Sequence, residues 1–213
     1  MYNAGTIAGS VAGILGSSGA DTVYNTNRLN GGVLLGGGND TLFVQTGHTI
    51  NGIADGGAGS DNLLINAVAA NPGEPDPGSV VLSGNDYSSF EHMQKGGAGI
   101  AQLEDSWTSL VTSFIKAGTL ELWPDSVVSG LVVVRAGARL QGVGTLTGLV
   151  LDHNAVAGAG TSTGMLSITE DLVVDGGILE FEADSLFDTD KVLVGGDVWL
   201  NAGFVDVART AWS

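Results

Sequence analysis

Apolar residues in this chain come in short runs, many at alternate positions, broken by Gly, Asn or Asp. Ile178-Leu179-Glu180-Phe181-Glu182-Ala183 has period two, placing Leu179, Phe181 and Ala183 on one side of a strand and Glu180 and Glu182 on the other. Val198-Trp199-Leu200 and Phe204-Val205-Asp206-Val207 obey the same rule on either side of an Asn201-Ala202-Gly203 turn. Leu131-Val132-Val133-Val134 and Lys191-Val192-Leu193-Val194 are continuous apolar-rich runs in the second half. Helical periodicity is nearly absent; the stretch Leu103-Glu104-Asp105-Ser106-Trp107 fits one helical turn at most. The pattern predicts an all-β chain of many short strands.

A repeat arranges those strands. Ser18-Gly19-Ala20-Asp21-Thr22-Val23-Tyr24 returns as Gly37-Gly38-Asn39-Asp40-Thr41-Leu42-Phe43 and as Ala58-Gly59-Ser60-Asp61-Asn62-Leu63-Leu64, the aspartates standing 19 and then 21 residues apart. Between them Leu29-Asn30-Gly31-Gly32-Val33-Leu34 echoes in Ile50-Asn51-Gly52-Ile53-Ala54. A period near 20 with two or three apolar runs per unit is too short for a helical pair and suits one coil of a parallel β-solenoid. Pro72-Gly73-Glu74-Pro75-Asp76-Pro77-Gly78 interrupts it and predicts a protruding loop. The chain therefore divides into Gly/Asp-rich coils at 1–71, loop-bearing transition coils at 72–102, and C-terminal coils at 103–213. Of the 35 Gly, 21 lie in residues 1–102, while all four Trp (Trp107, Trp123, Trp199, Trp212) lie beyond, so the later coils are expected to pack a heavier core and to nucleate folding.

Composition agrees with a folded solenoid. Hydrophobic residues make up 43% and charged residues 14%, too apolar for disorder, and Gly without a three-residue period excludes collagen. A net charge of −16 repels phosphate backbones and anionic lipid, so nucleic acid is not an expected partner. With no Cys there is no disulfide, zinc-thiolate or Cys nucleophile. No basic leader precedes an apolar core at Met1–Gly5 and no uninterrupted apolar run is long enough to span a bilayer, which predicts a cytosolic protein or an internal piece of a longer exported chain.

Taken in order, Asp55-Gly56-Gly57-Ala58-Gly59-Ser60-Asp61-Asn62-Leu63, Phe90-Glu91-His92-Met93 and Gly118-Thr119-Leu120 resemble the passenger domains of Gram-negative autotransporters. The later Gly142-Val143-Gly144-Thr145-Leu146, Gly158-Ala159-Gly160-Thr161-Ser162-Thr163-Gly164-Met165-Leu166 and Asp190-Lys191-Val192-Leu193-Val194-Gly195-Gly196 resemble that family's coils just before the translocator barrel. Ala157-Gly158 stands where relatives commonly have Pro-Gly. The resemblance implies a right-handed parallel β-helix, exported to the extracellular cell surface and joined to a C-terminal translocator barrel. It further implies a non-catalytic stalk, of adhesin type, meeting host-cell or matrix surfaces or copies on neighbouring cells, with no membrane insertion of this segment.

Candidate chemistry is sparse. Gly56-Gly57-Ala58-Gly59-Ser60-Asp61-Asn62-Leu63 matches a calcium nonapeptide, and Gly36-Gly37-Gly38-Asn39-Asp40-Thr41-Leu42 is a less complete copy, making Asp40 and Asp61 the candidate calcium ligands. Calcium β-rolls need that motif in tandem every nine residues; at this spacing the aspartates are better expected to cap turn N–H groups, with no resident cofactor. Glu180, Glu182 and Asp184 form an acidic row, the spacing of a glycosidase pair, or a solvated strand face. Lys116, Arg135 and Arg139 are the cations in plausible strands that a polysaccharide lyase would require as a base. His48, His92 and His153 lie in no catalytic motif, and Asp184, Asp188 and Asp190 read as solvated loop charge. The alternatives to a stalk are thus a carbohydrate-active β-helix enzyme and a calcium-dependent secreted module.

Overall fold

A computed structural model describes residues 1–68, 78–160, 163–183 and 189–209. These residues form an all-β solenoid in which every pairing between named strands is parallel, and no helix occurs among them. The strands gather in sheets of 13, 7 and 5 strands. Most coils contribute three strands before the chain returns to the rung above. On the first face Thr22–Asn25, Thr41–Gln45, Asn62–Asn66, His92–Gly96 and Thr112–Ile115 stack in sequence, and Leu131–Val134 continues the stack. The second face carries Ser79–Ser83, Ile100–Glu104, Thr119–Leu122, Arg139–Gly142, Val156–Gly158, Ile178–Ala183 and Phe204–Arg209.

In-register stacking turns sequence periodicity into columns. Inward on the first face, Val44, Ile65, Lys95, Ile115, Val134, Leu151 and Val174 succeed one another at one position. All are buried, and all but one are aliphatic. Parallel strands about 4.8 Å apart place like side chains in van der Waals contact, so a column of Val, Ile and Leu closes without gaps. Outward positions stack too: the rings of Tyr2, Tyr24 and Phe43 follow one another with centroids 6.3 and 5.5 Å apart.

Corners are where glycine is needed. Gly118 turns the chain from the first face to the second at φ 63°, and a Cβ there would collide with the carbonyl oxygens of Gly97 and Gly99 and with Lys95 Nζ. Polar corners are laddered instead: Asn3 Nδ2 donates to Asn25 Oδ1 at 2.9 Å with both residues buried, and Asn51 Nδ2 donates to Asn30 Oδ1 at 2.8 Å.

Two expectations change. The stretch Leu103–Trp107 is not a helical turn: strands Ile100–Glu104 and Ser106–Trp107 meet at Asp105, whose φ of 60° bends the chain between faces. The tryptophans are not a shared heavy core. Trp107 is buried and stacks on Tyr87 at 5.7 Å, but Trp123 and Trp199 are exposed and Trp212 lies outside the described residues. Trp199 and Phe204 stand in register with the outward-facing Val173 and Ile178, so both are exposed on the last described rung. The loop expected at Pro72–Gly78 lies, except for Gly78, outside the described residues.

Candidate functional site

The repeated aspartates stack on one corner, each reaching back one coil. Asp40 Oδ1 accepts the backbone N–H of Asp21 at 2.7 Å, Asp61 Oδ1 that of Asp40 at 2.6 Å, and Glu91 Oε2 that of Asp61 at 2.8 Å. Asp21 starts the ladder by accepting from Ser17 N and Ser17 Oγ at 2.7 and 2.9 Å. The expected turn-capping role is therefore present, and it is carried between coils rather than within one turn. Glu91, which the sequence places in the Phe-Glu step rather than in the repeat, is the fourth member. The clue was position: Asn62 pairs with His92, so the acid before each occupies the same position on successive rungs.

Asp40 and Asp61 are fully buried, and the second carboxylate oxygen of each has no hydrogen-bond partner. Burial pushes the Asp61 pKa up, the Asp40 N–H opposes this, and the charges of Asp40, Glu91 and Asp55 add to it. Gly56 is small for a local reason: a Cβ there would run into the Ser89 carbonyl and stand 3.0 Å from Asp61 Oδ2. Among the described residues no group of three or more His, Asp or Glu side chains is arranged to hold a metal ion.

The other candidates are dispersed. Glu180 is ion-paired to Arg139 at 2.5 Å, so both have a structural partner, while Asp184 and Asp188 lie outside the described residues. Asp190 is not solvated loop charge: it is buried, and its two oxygens accept from Gly164 N at 2.9 Å and Glu182 N at 2.7 Å. Its carboxylate thus satisfies two backbone donors at that corner. His48 is held between the Gln45 carbonyl at 2.8 Å and the Tyr87 hydroxyl at 2.9 Å, its pKa lowered by burial. With Nδ1–H donating to that carbonyl, Nε2 accepts from Tyr87, whose own pKa is raised by burial. His92 Nε2 lies 3.0 Å from Ser60 Oγ, and His153 is exposed on a later coil. The three histidines thus stand on different coils and form no cluster.

Two of the concavities gather side chains from several coils on the two main faces. On the first face a cavity of about 280 Å³ lies over Gln94, between Leu64 and Phe114, with Lys116 and Arg135 at its edge. Arg135 is committed to Asp152 at 2.8 Å and lies over the Phe114 ring at 4.9 Å. On the second face a larger cavity of about 440 Å³ is lined by Gln102, Glu121, Trp123 and Pro124. Neither was foreseen, because the residues that line each come from successive coils about 20 positions apart. No known protein family, curated protein or solved structure matches the chain.

Proposed function

We propose that this chain is a right-handed β-helical stalk segment of an autotransporter passenger, displayed on a Gram-negative cell surface. It acts without catalysis or a resident cofactor, as part of an adhesin that meets host or neighbouring cells. The observation that carries this reading is the parallel register, which links rung to rung from Tyr2 to Arg209 along the described chain. Such a stack grows in one direction, buries its own strand edges, and holds whatever it bears at a fixed distance from its base. The hand follows from the resemblance and from the general preference of parallel connections within a sheet. The passenger assignment rests on the ordered motifs from Asp55 to Gly196, and an acidic surface suits a protein meeting water rather than nucleic acid or lipid.

The test is to place residues 1–213 between an export signal and a translocator barrel in a Gram-negative host. Surface exposure to antibody, with an elongated particle by small-angle scattering of the released segment, is the expected result. Retention inside the envelope, a globular particle, or cleavage of glycans by the purified segment would overturn it, the last in favour of a carbohydrate-active enzyme.

A further inference from the structure

We propose that the cavity on the second face binds a neutral saccharide, with Trp123 as the stacking platform and Gln102 and Glu121 as the hydroxyl-reading groups. The two tryptophans nearest in sequence show what is unusual here. Trp107 is buried, its ring stacked on Tyr87 and its Nε1–H donated to the Glu104 carbonyl at 3.0 Å. Trp123 is 41% exposed at the cavity wall, and among the described residues its indole has neither a ring partner nor a hydrogen bond. Gln102 Nε2 donates to Glu121 Oε2 at 2.9 Å. That bond fixes both side chains and leaves one amide hydrogen, the amide oxygen and the other carboxylate oxygen for a ligand. Donor and acceptors side by side match hydroxyl groups, which both give and take a hydrogen bond. A flat aromatic face beside them matches the C–H face of a pyranose.

Charge narrows the class. The lining residues include the Glu121 carboxylate and no Lys or Arg, in a chain of net charge −16, so uronates, sulfated sugars and phosphates are disfavoured. Register supplies the direction. Gln102, Glu121 and Gln141 occupy one column on consecutive rungs, about 4.8 Å apart, comparable with the advance of one sugar along an extended chain. Gln141 is buried, its Oε1 accepting from Arg139 Nε at 2.9 Å, so the open polar groups of the column are those of Gln102 and Glu121. A cavity of about 440 Å³ is within the ordinary range of small-ligand sites, roughly 300–1,000 Å³. The inference does not rest on the stalk reading, since a segment can bind glycan wherever it is displayed.

The experiment titrates the 213-residue chain with cello-, malto-, xylo-, manno- and chitohexaose, reading heat of binding and the indole N–H resonances. At least one hexasaccharide is expected to bind and to shift the Trp123 indole resonance. Trp123→Ala should weaken binding at least tenfold, Glu121→Gln several-fold, and Trp199→Ala not at all, with the melting temperature of Trp123→Ala within a few degrees of the parent. Absence of binding by all five at millimolar concentration would overturn the proposal, as would affinity unchanged in Trp123→Ala. So would preferential binding of a heparin hexasaccharide that depends on Lys116, which would move the site to the first face. Loss of surface display in the export test, with hexasaccharide binding intact, would sink the stalk reading alone.

Discussion

Lys95 gives the most exacting test of how this solenoid is held together. It sits in an aliphatic column between Ile65 and Ile115, fully buried, with no carboxylate partner among the described residues. Its ammonium instead donates to the carbonyls of Gly97 at 2.8 Å, Gly99 at 2.5 Å and Ala117 at 2.7 Å. Gly99 O also accepts from Thr119 N, whereas no other described donor reaches the Gly97 and Ala117 carbonyls. Lys95→Met keeps the volume and the aliphatic contacts but orphans those two acceptors, each worth about 1–3 kcal/mol when left unmade. Relief from burying a cation offsets part of this, so the net loss should be about 2–4 kcal/mol by urea unfolding at pH 7. The pH profile separates this from a general packing defect. Burial pulls the Lys95 pKa from 10.5 down to about 8. Below pH 8 both folded and unfolded states carry the proton; between about 8 and 10.5 only the unfolded state keeps it, so the parent gains stability as pH rises through that window. Lys95→Met should lack this gain. A loss below about 1 kcal/mol, or parallel profiles for the two proteins from pH 8 to 10.5, would refute the carbonyl-cage account.

The carboxylate ladder predicts that Asp61→Ala costs about 1–3 kcal/mol in denaturant melts, through loss of the acceptor for Asp40 N–H. Because the folded Asp61 pKa is raised above 3.8, its contribution is fully present below that pH and lost as pH climbs through the folded value, so Asp61→Asn should flatten the stability profile there. Calcium and its chelation should leave the melting temperature of the parent unmoved; a rise of several degrees with millimolar calcium, abolished in Asp61→Ala, would establish a metal site instead. Residues 103–213, with Val132, Val134, Leu146, Leu149 and Leu151 in one buried stack, should unfold cooperatively when expressed alone, and residues 1–102 should be marginal; greater stability of the first half would misplace the nucleus.

Much of the architecture was written in one dimension. The 19- and 21-residue spacing of Asp21, Asp40 and Asp61 defines a coil, and the alternation at Ile178–Ala183 defines a strand with one side inward, because both follow from local backbone geometry. The turn-capping role of the aspartates was likewise legible from residue type, since a short carboxylate beside glycine has few other uses in a tight corner. What the sequence could not contain is which residue of one coil lies over which residue of the next. Insertions such as the proline-rich segment shift the count, so Glu91, 30 residues beyond Asp61, joins the ladder only once Asn62 is paired with His92. The same pairing puts a lysine among isoleucines, which no alternation rule would place inside, and three carbonyls at one corner make that burial tolerable. It also assembles Gln102, Glu121 and Trp123 into one wall and leaves Trp199 bare while Trp107 is covered. Side-chain type and local period decide that a coil forms; only the lateral register, fixed by hydrogen bonds between coils, decides which side chains meet.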